Sequence, residues 1–122
     1  MIVQMPYIGG DLTDNNHKII GKGGRKTHKT KRVVEIWMVQ LKDEIRTHPE
    51  YMDLVFLPVT VTVNGYFIDK VHSPDIHNLS KVTMDTVKVA IGMDDKYCKF
   101  ITGDRHYGYN GPYLEIKIEK TI

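Results

Sequence analysis

A single cysteine, Cys98, rules out an internal disulfide framework. Long apolar runs are also missing: the longest, Leu54 to Val59, is far below the roughly 20 residues that a bilayer-spanning helix needs. The opening residues, Met1-Ile-Val-Gln-Met-Pro6, lack a basic leader followed by an apolar segment. These absences point to a soluble protein with no membrane partner, at home in a reducing cytoplasm. At 122 residues the chain falls within the range of one domain, residues 1–122, so any site sits on one small core or between copies.

Acids are absent where bases are dense. The formal net charge is only +2, but from Lys18 to Arg32 there are seven Lys or Arg residues and no acid. Lys18, Lys22, Arg25, Lys26, Lys29, Lys31 and Arg32 are thus positioned to neutralise phosphates and release counterions from a nucleic acid. The alternative for such a run is a solvated loop. Acids concentrate later, at Asp75, Asp85, Asp94 and Asp95.

Alternating or β-branched stretches predict strands at Ile2–Tyr7, Val59–Val63, Tyr97–Thr102 and Tyr113–Lys120. The turn-rich segment Asp104 to Pro112 is expected to join the last two as a hairpin. One helix is predicted over Lys31–Thr47, N-capped by Thr30, with Val33, Ile36, Trp37, Leu41 and Ile45 as its apolar stripe and Pro49 beyond its end. A second follows Pro74-Asp75 and ends at Gly92, burying Leu79, Val82, Thr83, Thr86, Val87 and Ala90. Asn64-Gly65 either closes a hairpin or interrupts a long strand. The order implies an α+β fold, two main helices on a small mixed or antiparallel sheet.

The second helix carries the chemistry. Asn78, Lys81 and Asp85 recur at helical spacing on a polar face, with Asp75 just before them and Asp94-Asp95 just after. Carboxylates beyond a helix C-terminus meet an unfavourable dipole and call for a compensating cation, a divalent metal or a lysine. Phosphodiester hydrolysis needs charge neutralised on phosphate oxygens and a nucleophilic water, which carboxylate-held Mg²⁺ with an added lysine supplies. The bland alternatives are Asp75 as an N-cap, Lys81–Asp85 as an exposed ion pair, and Asp94-Asp95 as turn residues.

The segment Asp75-Ile-His77-Asn78-Leu79-Ser-Lys81, then Asp85, then Gly92-Met-Asp94-Asp95, resembles the signature of RusA-type Holliday junction resolvases, D-x-D-N-L-x-K followed by an aspartate and a D-D pair. Asn15-Asn16, the basic loop and Thr27-His28 resemble that family's amino-terminal pattern. The resemblance implies a RusA-like, homodimeric crossover junction endodeoxyribonuclease of bacteria or phages. It would cleave four-way and other branched DNA in recombination and repair, with Mg²⁺ or alternatively Mn²⁺. It implies Asp75, His77, Lys81 and Asp95 as catalytic, Asp75, His77, Asp95 and Asp94 around the metal, and Asn16, Lys22, Arg25, Lys26, Lys29, Lys31 and Asn78 on DNA. One departure stands out: His77 occupies the place of the second aspartate, which favours Mn²⁺ or Zn²⁺ over hard Mg²⁺.

Two other readings compete. Ile19-Ile-Gly-Lys-Gly-Gly24 is similar to the loop of KH domains, which bind single-stranded nucleic acid without chemistry. Against it, Arg25 to Arg32 contains no large apolar residue with which a following helix would pack. The other reading is a nucleic-acid-binding protein that keeps the fold and has lost catalysis through His77.

Overall fold

The structure, a computed structural model, describes residues 1–13 and 28–121, apart from the side chains of residues 28–30 and of Asp95. Asn16, Lys22, Arg25, Lys26 and the glycine-rich loop therefore lie outside the described residues, and Lys29 is described in its backbone alone. Strand β1 (Ile2–Pro6) is followed by α1 (His28–Arg46), a single turn α2 (Tyr51–Leu54), β2 (Val59–Phe67), α3 (Ser80–Ile91), β3 (Lys99–Tyr107) and β4 (Tyr113–Lys120). The four strands form one mixed sheet in the order β1-β4-β2-β3.

Alternation explains which face is covered. Val3 and Met5 of β1, Val59, Val61, Val63 and Phe67 of β2, and Leu114, Ile116 and Ile118 of β4 are all buried and point to one side. There they meet Val34, Trp37, Leu41 and Ile45 of α1 and Val82, Val87, Ala90 and Ile91 of α3. On the opposite face Tyr113, Tyr66 and His106 stack in a row across three strands, with ring centroids 4.5 and 4.7 Å apart.

Several local expectations are corrected. The last two strands do not form a hairpin: β4 pairs antiparallel with β1 and β2, while β3 lies on the far side of β2 and runs parallel to it. The reason is the α3 crossover, because a helix between two strands returns the chain parallel to its start. Residues after β3 must then pass over the end of β2, and the N–H groups of Gly108 and Tyr109 bond to Ile68 O and Phe67 O, both at 3.0 Å. β3 also starts later and ends later than expected, since Tyr97 belongs to a 3₁₀ turn, Asp95–Tyr97.

Helix α1 begins at His28, so Thr30 lies inside it and is not its N-cap. The helix therefore extends into the basic segment. Its buried stripe is Val34, Trp37, Leu41 and Ile45, whereas Ile36 is 49% exposed and Val33 half-buried. Trp37 sets this phase: at 1% exposure, with its Nε1–H donating to Pro6 O at 2.8 Å, it turns its neighbour Ile36 about 100° away from the core.

Asn64-Gly65 does not close a hairpin. β2 continues through it with a bulge against β3 between Val63 and Gly65. The Asn64 carboxamide substitutes for the interrupted ladder, accepting from Asp104 N–H at 2.8 Å and donating to Glu115 Oε1 at 3.3 Å. Gly65 faces the core, where a Cβ would stand 2.2 Å from the Phe67 ring and 2.9 Å from Ile76 Cδ1. The missing side chain thus makes room for Phe67 and for the residue that anchors the acidic motif.

Candidate active site

The segment leaving β2 reverses direction in a polar turn before reaching Asp75. Asp69 Oδ1 accepts from His72 N–H at 2.8 Å and meets His72 Nδ1 at the same distance, and Ser73 Oγ donates to Lys70 O at 2.9 Å. The His72 backbone N–H, and then its ring, hold the Asp69 carboxyl below the usual carboxylate range. Arg105 on β3 reaches across to Pro74 O with Nη1 at 3.5 Å.

The second helix opens as a 3₁₀ turn, Ile76–Leu79, and becomes α-helical only at Ser80. Ile76 and Leu79 are buried, and in a 3₁₀ turn residues three apart eclipse one another. These two anchors drive His77 and Asn78 out on different sides. Consequently Asn78 does not share a face with Lys81 and Asp85, as helical spacing from the motif's start had suggested. His77, Lys81 and Asp85, four residues apart, border one cleft, and Asn78 borders another.

The first cleft has a volume of about 500 Å³. Met84 and Phe100 are its apolar members, and Lys81, Asp85 and Lys96 its charged ones, with Ser80 and Cys98 alongside. Lys81 Nζ lies 3.6 Å from Asp85 Oδ2, with the side chains 49% and 40% exposed. An exposed pair of this kind contributes only about 0.3–0.5 kcal/mol, so it orients the ammonium without immobilising it.

Asp75 sits at the N-cap position, but its carboxylate makes no capping hydrogen bond. Its carbonyl accepts Asn78 N–H at 2.9 Å, and its side chain is exposed. The capping role is thus set aside. Asp94 behaves as a turn residue: Oδ1 accepts Lys96 N–H at 3.3 Å and its carbonyl accepts Tyr97 N–H at 3.1 Å. It follows the left-handed Gly92 that ends α3, at φ 76°. Asp95 opens the 3₁₀ turn beside it.

Among the described residues no group of three or more His, Cys, Asp or Glu side chains is close enough to hold a metal ion. Asp75, His77 and Asp94 therefore do not form a three-ligand set by themselves, and the Asp95 side chain lies outside those residues. Asp75 is not among the residues that border the cleft, but its donor chemistry suits a hard cation, since it is an exposed carboxylate without a capping bond two residues before His77, which does border it.

Sequence reasoning did not single out Lys96, Cys98, Phe100 or Arg105 for this region. Lys96 had a signal, being the residue after the Asp-Asp pair. Arg105 had none, because it approaches Pro74 across 31 residues of chain through the β2–β3 pairing. Among the described residues no helix is long and apolar enough to cross a membrane.

No curated protein matches the chain in sequence. The protein-family model for endodeoxyribonuclease RusA matches residues 12–119, which takes in the basic segment, the acidic motif, β2, β3 and all of β4 except Lys120. With that match over most of its length, the chain belongs to the RusA endodeoxyribonuclease family of Holliday junction resolvases.

Proposed function

We propose that this protein is a metal-dependent endonuclease that cuts four-way and other branched DNA by phosphodiester hydrolysis, in recombination and repair, as a homodimer in the cytoplasm of a bacterium or phage-infected cell. The observation that carries this is the family match spanning a motif whose leading carboxylate, Asp75, has no capping role. Mg²⁺ or Mn²⁺ held by Asp75 and Asp95, with His77 and Asp94 beside them, would supply charge neutralisation at the phosphate and an acidified water. Lys81 places an ammonium at the cleft, where it offsets charge on the phosphate oxygens, and Asp85 orients it. Lys96 on the same cleft adds a second cation. A homodimer would present two such sites, one for each strand to be cut.

The direct test is incubation of the purified protein with labelled four-way junctions and with linear duplex of the same sequence, in Mg²⁺ or Mn²⁺. Paired nicks in the junction and little cleavage of the duplex are expected. Binding without cleavage in either metal would instead indicate the inactive binding protein.

Affinity should fall steeply with salt, because the Lys18–Arg32 cations act on phosphates. Replacing Lys26, Lys29 and Lys31 by alanine is expected to weaken junction binding and to reduce the slope of log affinity against log salt by up to about three. An unchanged slope would remove these lysines from the interface.

His77 bears on the choice of metal. If its imidazole stands where a carboxylate would serve Mg²⁺, wild-type activity favours Mn²⁺. His77→Asp is then expected to raise activity in Mg²⁺ relative to Mn²⁺. An unaltered ratio of the two rates would place His77 outside the ligand set.

A further inference from the structure

The 3₁₀ turn separates the candidate active cleft from a second groove of about 550 Å³. Tyr7 and Pro112, joined by a Tyr7 N–H to Pro112 O bond of 3.0 Å, are part of its lining. Ile68 and Pro74 are further apolar members of its lining, and its polar groups include Asn78 and His72. Flat or rigid apolar surfaces and a few convergent polar groups are the makeup of a small-molecule-sized site.

Its position says what would enter. His77 borders the cleft and Asn78 the groove, and consecutive Cα atoms are only 3.8 Å apart. A DNA strand with a phosphate over the cleft therefore has the base of an adjoining nucleotide within reach of the groove. The Asn78 carboxamide offers a donor and an acceptor side by side, the arrangement that pairs with a base edge. His72, with Nδ1 on Asp69, is oriented by that contact. Extruding a base costs a few kcal/mol, and the exchange point of a branched junction, where the continuous duplex is interrupted, is where that cost is least.

We propose that this groove accepts an unpaired nucleobase next to the scissile phosphate, and that Asn78 and His72 read it, so that the groove sets where along the DNA the enzyme cuts. The inference rests on the proposed nuclease activity of the neighbouring cleft. Tyr7, Pro112 and Pro74 supply surfaces for the base to lie against, and the carboxamide and imidazole select its edge.

The test uses four-way junctions with a randomised core, cleaved by wild type, Asn78→Ala, His72→Ala and Ile68→Trp. Ile68 is 46% exposed, so its replacement fills the groove from the surface and leaves the core alone. Wild type is expected to prefer certain bases beside the cut, and Asn78→Ala to lower that preference by roughly tenfold, with His72→Ala lowering it less. Ile68→Trp should erase the preference while junction affinity is retained. A second readout is 2-aminopurine placed next to the cut: its fluorescence should rise on binding wild type and stay low with Ile68→Trp. Cleavage by wild type with no base preference overturns the groove's role. So does a uniform loss of rate in the variants with the preference unchanged. Failure of the nuclease reading looks different, since wild type then cleaves no junction at all, and the 2-aminopurine signal decides whether a base still enters.

Discussion

Asp75→Asn is expected to lower junction cleavage by on the order of 10²–10³-fold or more, the scale on which removing one preorganised transition-state stabiliser acts. The substitution is nearly isosteric. The side chain is exposed and makes no capping bond, so folding should change by no more than about 0.5 kcal/mol. DNA affinity should hold or rise, because a negative charge near the phosphates is lost. Asp95→Asn is expected to behave in the same way if both carboxylates serve one metal. The measurements are single-turnover cleavage of a labelled junction and filter binding at fixed salt. A variant that cleaves at the wild-type rate would remove its residue from the site. Loss of binding together with cleavage would mean that the residue holds DNA and not the metal.

The second large effect is on stability. Trp37→Ala should destabilise the fold by about 3–5 kcal/mol, a substantial share of the roughly 5–15 kcal/mol that holds a domain together. Trp37 is 1% exposed and fills the space between α1 and the sheet. Its loss leaves a cavity, and Pro6 O loses the indole N–H at 2.8 Å. Trp37→Phe keeps most of the volume and should cost considerably less, chiefly the hydrogen bond. Urea unfolding followed by circular dichroism is the appropriate readout, because Trp37 is the only tryptophan and its replacement removes the fluorescence probe. A cost below about 1 kcal/mol for the alanine variant would contradict the packing described.

Where one covered face imposes a strict period, the elements were legible. β4 alternates Leu114, Ile116 and Ile118 with Glu115, Lys117 and Glu119, and it forms as expected at Tyr113–Lys120. The end of α3 was equally readable, because Gly92 can take the left-handed conformation that closes a helix. β3 was harder. It is an edge strand, exposed along much of its length, so its sequence carries little hydrophobic alternation to mark its bounds.

The acidic motif by itself pointed to a chemistry: Asp75, Lys81 and Asp95 are residue types that can hold a divalent cation or offset phosphate charge, and the RusA family match over residues 12–119 spans all three. Tertiary structure alone decided which of these side chains share a surface. Ile76, packed beside Gly65, and Leu79 are both buried in a 3₁₀ first turn, and Asn78 borders the neighbouring groove while Lys81 and Asp85 border the cleft. It also decided that β3 lies parallel to β2 and so delivers Arg105 to Pro74. Local sequence encodes propensity over one or two turns, whereas the phase of a turn and the partner of an edge strand depend on contacts between residues far apart in the chain.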